Sequence, residues 1–204
     1  HDADTLEASL AAMTGPDRLE ALDDLALRVI NPYAIMAGAL VILVPWIGMR
    51  PDLAKAVVGM NFWMKAIYTG GLGVAGLALF ERLARPGAKG RTGWILAGAF
   101  AITIVGIAVY QLMSTPMDQM RAAFMGVSWT TCPWRIFTLS IPGLVVLMWT
   151  MRRYAPTRPA LAGAAAGLLA GGVAATVYGL HCQETAAPFV ALWYSAGVIL
   201  STMA

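Results

Sequence analysis

From residue 31 to the end, the chain is a series of six apolar runs, at about 31–49, 60–80, 93–113, 134–151, 160–180 and 187–204. Each is near the ~20 residues that a helix needs to cross the ~30 Å hydrocarbon core of a bilayer. The runs are continuous and rich in Ala, Leu and Gly, whereas a membrane β-barrel would alternate apolar and polar residues over about ten positions. Only 12% of the 204 residues are charged, about half the share usual in soluble domains, so no single soluble core could hide this much apolar surface. The expectation is an all-α fold: a six-transmembrane-helix bundle over 31–204, preceded by a short helical arm over 1–30. Pro45 and Pro142 fall inside the first and fourth runs, where neighbouring helices tolerate a kink. Gly163, Gly167 and Gly171 recur every four residues in the fifth. That face suits close helix approach, within the bundle in preference to between copies.

Charge is distributed unevenly. The arm carries seven acids (Asp2, Asp4, Glu7, Asp17, Glu20, Asp23 and Asp24) against Arg18 and Arg28, a net −5, while the remainder is +8. An acidic stretch ahead of the first apolar run is the reverse of a basic leader, so no cleavable signal peptide is expected. Within the arm, Leu6, Leu10 and Met13 recur at helical spacing, as do Leu19, Leu22 and Leu25. Gly15 and Pro16 separate the two sets, and Asp23 and Asp24 contribute to an acidic back. Two amphipathic helices are predicted, either as a solvated tail or as a partner-binding arm. In the body, Arg82, Arg85, Lys89 and Arg91 lie between runs two and three, and Arg152, Arg153 and Arg158 between four and five. The excess of basic residues in these links assigns them to the cytoplasm. Six spans then put both termini there, and the other loops on the outer face.

That outer face receives the one polar break with unusual chemistry, residues 178–184, which holds His181, Cys182 and Glu184. Cys132, the second of two cysteines, arrives from a different loop on the same face. In an oxidising periplasm such a pair could form a structural disulfide. It could instead be a redox- or metal-responsive thiol pair, with Cys132, Cys182, His181 and Glu184 as ligands for zinc or another heavy metal bound transiently. A third reading is two unpaired thiols packed as small apolar groups. Lys65 is the one charge well inside a run; it either snorkels outward beside Trp63 or forms an ion pair with Glu184.

Several stretches, taken in order, carry a resemblance. They are Arg50-Pro51-Asp52-Leu53-Ala54, Phe62-Trp63-Met64-Lys65-Ala66-Ile67-Tyr68-Thr69, and Arg82-Leu83-Ala84-Arg85-Pro86-Gly87. Further on come Cys132-Pro133-Trp134-Arg135-Ile136, Leu139-Ser140-Ile141-Pro142, Ala155-Pro156-Thr157-Arg158-Pro159, and residues 178–184 running on to Phe189-Val190-Ala191-Leu192-Trp193-Tyr194. The series resembles the NrsF-type negative regulators of sigma F, six-span anti-sigma factors of extracytoplasmic-function sigma factors in proteobacteria. Asp4-Thr5-Leu6-Glu7-Ala8-Ser9-Leu10 is similar to the family's N-terminal helix.

The resemblance implies a regulator of the bacterial inner membrane, not an enzyme. It would hold a sigma factor through the N-terminal segment and release it under oxidative or heavy-metal stress. Cys132 and Cys182 would be the sensing pair, and Leu6, Leu10, Met13, Leu19, Leu22, Leu25, Asp23 and Asp24 the partner-binding set. The expected partners are that sigma factor and the lipid bilayer, with no direct nucleic acid, no small-molecule substrate and no required cofactor. The rival readings are a membrane thiol–disulfide oxidoreductase, which normally uses a CxxC pair absent here, and a small transporter, for which a lysine within a span is slight support.

Overall fold

The computed structural model describes residues 31–83, 90–151 and 158–204. The arm lies outside the described residues, with all eight of its expected partner-binding positions, and so do Arg85, Lys89, Arg152 and Arg153 of the basic links. All six apolar runs are helical: α1 Asn31–Trp46, α2 Met60–Leu83, α3 Arg91–Met113, α5 Cys132–Met151, α6 Pro159–Tyr178 and α7 Ala187–Met203. A short helix, α4 Met117–Met125, precedes α5, and a single turn at Leu53–Ala56 precedes α2. No strand occurs among the described residues.

Of the six expected spans, four are clear among the described residues. Four helices, α2, α3, α5 and α6, are long and apolar enough to cross a membrane. The described parts of α1 and α7 are 16 and 17 residues, about 24–26 Å at 1.5 Å per residue. The first stops at Trp46, two residues before Gly48, whose φ of +78° ends helical geometry. The last starts late because the polar residues up to Ala186 are not helical.

Why α6 forms the centre follows from its composition. Its sequence is almost wholly Ala, Gly, Leu and Val, so backbones can approach it from several sides, and it packs on α1, α2, α5 and α7. Two thirds (67%) of its span is buried, against 11% for α3, which is therefore the peripheral helix. Gly167 and Gly171 meet Ser201 and its neighbours on α7, while a Cβ at Gly163 would meet nothing. Two of the three stripe glycines therefore do pack inside the chain. An equally tight approach lies on the other side of α6, where Gly172 lies on Gly73 and Gly76 on Leu169. Polar side chains between helices are paired: Tyr68 Oη with Ser195 Oγ at 2.6 Å, Ser140 with Ser201 at 2.8 Å, and Thr176 donating to Thr69 at 3.0 Å. Outward faces carry Val74, Ile102, Val105 and Val145, all more than half exposed, a surface matched to lipid.

Candidate functional site, a thiol pair beneath three loops

Antiparallel neighbours bring the segments 47–59, 114–131 and 179–186 together at one end of the bundle. Backbone pairing between the first and third is direct, Arg50 N–H donating to the Leu180 carbonyl at 3.2 Å. Beneath them Cys132, the first residue of α5, and Cys182 are buried and both are free thiols. The two thiols are neighbours, and Ser128 Oγ lies 3.8 Å from the Cys182 sulfur. The two cysteines expected on one face thus meet, although they are 50 residues apart in the chain.

Lys65, in the second turn of α2, is only 1% exposed. Its Nζ donates to the carbonyls of Cys182 at 2.8 Å and Glu184 at 3.1 Å, and lies 5.4 Å from the Tyr194 ring centre. This corrects the expected ion pair. Lys65 does reach Glu184, but through its main chain, because the Glu184 carboxylate turns the other way and accepts from Val127 N–H at 2.7 Å. Gly126, at φ +51°, makes room for that carboxylate; a Cβ there would sit 2.7 Å from it. Among the described residues no carboxylate lies within ion-pair distance of Lys65.

His181 is also engaged away from the sulfurs. Arg135 Nη1 is 3.2 Å from its Nε2, and the Gly48 carbonyl is 2.9 Å from its Nδ1. A guanidinium only donates and a carbonyl only accepts, so the two contacts together fix the neutral Nδ1–H tautomer. With His181 and Glu184 so held, the expected four-ligand metal set is not assembled. Among the described residues no three His, Cys, Asp or Glu side chains converge on a point that could hold an ion.

The surroundings of the thiols favour negative charge on Cys182. Donation from Cys132 holds the Cys182 thiol below its ordinary range; burial opposes this, and the Lys65 ammonium and the Tyr194 hydroxyl reinforce it. The hydroxyls of Tyr178 and Tyr194 are buried without a hydrogen-bond partner.

Arg50 straps the lid. Its Nε and Nη2 grip both oxygens of Asp52 at 2.8 and 2.7 Å, and Nη1 reaches the Cys182 carbonyl at 3.5 Å. The guanidinium beside it holds the Asp52 carboxyl below the usual carboxylate range. A depressed carboxyl supports the native strap above its unfolded pKa of 3.8 and loses that support as pH falls through the folded value. Hydrogen exchange at the Arg50 amide should therefore lose protection, relative to α6, as the pH is lowered below about 4.

Known proteins give this end of the molecule its context. A family model described as negative regulator of sigma F matches residues 10–204. The chain belongs to that family. Among relatives, the anti-sigma-F factor NrsF of Caulobacter vibrioides is 48% identical over 173 residues, covering 81% of this chain and 80% of its own. The probable anti-sigma-F factor NrsF of Azospira oryzae is 40% identical over 167 residues, covering 80% and 77%. No solved structure matches the chain. The NrsF match spans the whole helical bundle and most of the arm, so the thiol end and the arm belong to one family unit.

Sequence reading missed several members of this site. Gln111 accepts from Ala187 N–H at 2.8 Å through its Oε1 and so caps α7 from α3; an amide at the end of an apolar run was the available signal. Replacing it, as Gln111→Ala, should cost about 1 kcal/mol of stability by leaving that amide unpaired, read as a lower unfolding midpoint in detergent. Tyr194 and Ser128 carried no such signal, since their relation to Cys182 exists only after the loops fold over.

Proposed function

We propose that this chain is an inner-membrane anti-sigma factor for an extracytoplasmic-function sigma factor, and that its thiol pair governs release. Both termini are on the cytoplasmic side in this reading, with six crossings. The acidic arm then faces the cytoplasm and Cys132 and Cys182 the periplasm. The observation that carries the reading is the meeting of two free thiols from separate segments, at the end opposite the basic links, in a chain of the NrsF family. A purely apolar role for the cysteines accounts poorly for a buried cation and two unpartnered tyrosine hydroxyls around them.

In the arm, the acids would speed association with a basic sigma surface, and Leu6, Leu10, Met13, Leu19, Leu22 and Leu25 would set its lifetime, with Asp23 and Asp24 at the rim. Full-length protein in lipid nanodiscs should capture its cognate sigma factor, and protein lacking residues 1–30 should lose at least about 100-fold in affinity, the equivalent of one or two anchoring leucines. Undiminished capture by the shortened chain would reject the arm as the binding element. An oxidoreductase reading gains from the polarised Cys182, and would require turnover of a disulfide substrate by the same purified protein.

A further inference from the structure

The two sulfurs are not equivalent, and the asymmetry assigns them different tasks. Cys182 lies on non-helical backbone just after α6, with 3% of its surface exposed. Cys132 is wholly buried in the first turn of α5. Around Cys182 lie the Cys132 thiol, the Tyr194 hydroxyl and, at 3.8 Å from the sulfur, Ser128 Oγ. Its own carbonyl is fixed by Lys65 Nζ at 2.8 Å. Lys65 is a fully buried ammonium, and no carboxylate among the described residues pairs with it. A buried cation without a counter-charge is costly unless an anion forms beside it. Tyr194 is likewise 0% exposed with an unpartnered hydroxyl. A nearby sulfur that gains negative charge would satisfy both. The charged and titratable groups around Cys182 are Lys65 from α2, Arg50 from 47–59, Cys132 and Arg135 from α5, Tyr178 from α6, Tyr194 from α7, and His181 and Glu184 of its own segment.

We propose that Cys182 is the sulfur that attacks an oxidant, with Lys65 and Tyr194 positioning it and stabilising its anion, and that Cys132 then closes the disulfide. This deepens the sensor reading and rests on it for its biological meaning. With a hydroperoxide as oxidant, the Cys182 sulfur attacks the outer oxygen and the O–O bond breaks. Sulfur is oxidised by two electrons to a sulfenic acid, and the leaving alkoxide or hydroxide takes up a proton to become alcohol or water. The Cys132 sulfur, giving up its proton, then attacks the sulfenic sulfur; the S–S bond forms, the S–O bond breaks, and hydroxide leaves as water. Cys132 suits the second step because it neighbours Cys182 and has no surface of its own.

The order is testable on the purified chain in nanodiscs without any sigma factor, using hydrogen peroxide and a small 1,3-dione that traps sulfenic acids, read by mass spectrometry. The Cys132→Ser variant should accumulate trapped Cys182, and the Cys182→Ser variant should oxidise at Cys132 at least about tenfold more slowly. Lys65→Met, built on Cys132→Ser, should slow trapping about tenfold, as expected for loss of a donor near a forming anion. Lys65→Arg should restore most of the rate. If Lys65→Met fails to fold, Tyr194→Phe keeps the packing and should also slow trapping. Equal rates at the two cysteines, or faster oxidation of Cys132, would overturn the assignment; an unchanged rate in both folded Lys65→Met and Tyr194→Phe would overturn the role of the donors. Sigma retention is measured separately: a chain that traps Cys182 first yet never releases sigma sustains this chemistry and rejects the sensor reading.

Discussion

Gly76→Leu is expected to abolish the folded bundle, and Gly76→Ala to weaken it by about 3 kcal/mol, the upper end of what overpacking a tight core costs. At Gly76 an added methyl would stand 2.7 Å from the Leu169 Cα of α6, a main-chain atom that no rotamer change can move aside. The same helix pair is in contact at Gly172, where the methyl would lie 2.7 Å from Gly73 Cα. Relief therefore requires the two axes to separate, and α6 is the helix on which α1, α2, α5 and α7 all pack. With total stabilities of roughly 5–15 kcal/mol in folded domains, a leucine there exceeds what the bundle can absorb. The control is Gly106→Ala on α3, where a Cβ meets nothing within 4 Å; its unfolding midpoint should be unchanged or slightly raised, since alanine is the better helix former. Thermal unfolding in one detergent, followed by helical circular dichroism, compares the three.

The second large effect concerns the thiols. A chain carrying both Cys132→Ser and Cys182→Ser should capture sigma as the native chain does, yet keep it under peroxide or heavy-metal challenge. Serine is close to cysteine in size, and the loops have other restraints: Lys65 on two carbonyls, Arg50 on Asp52, His181 on Gly48 and Glu184 on Val127. The lid should thus survive without the sulfurs. A reporter driven by the sigma factor should stay at its uninduced level, whereas the native strain rises on challenge. Loss of the folded protein in the double variant would instead make the cysteines structural.

Much of this architecture was legible in the residues. Hydropathy alone located all six helices, since a run of apolar residues near 20 long has few alternatives to a helix in lipid. Alternation of successive runs places the loops of Cys132 and Cys182 at the same end, and the structure brings the two together there. Glycine spacing indicated that α6 is approached closely, but not by whom: Gly73 and Gly76, the partners on α2, sit three residues apart among other small residues and form no four-residue stripe. The contacts of Lys65 were beyond reach for a different reason. Carbonyls carry no side-chain signature, and a lysine near an isolated glutamate suggests the carboxylate, although the loop turns that carboxylate toward Gly126 and Val127. Where α1 ends before Gly48 and α7 begins at Ala187 is set by backbone geometry that hydropathy does not register.

In the proposed function the oxidation state of one buried thiol pair governs what the arm holds on the opposite side of the membrane. The most direct test is the affinity of the full-length chain in nanodiscs for its sigma factor, measured on the same preparation before and after peroxide, with the Cys132–Cys182 linkage quantified by mass spectrometry. Tight binding by the dithiol form is expected, with at least about a 30-fold loss, equivalent to roughly 2 kcal/mol of coupling, in proportion to the disulfide formed. Equal affinity of the dithiol and fully disulfide-linked chains would contradict it.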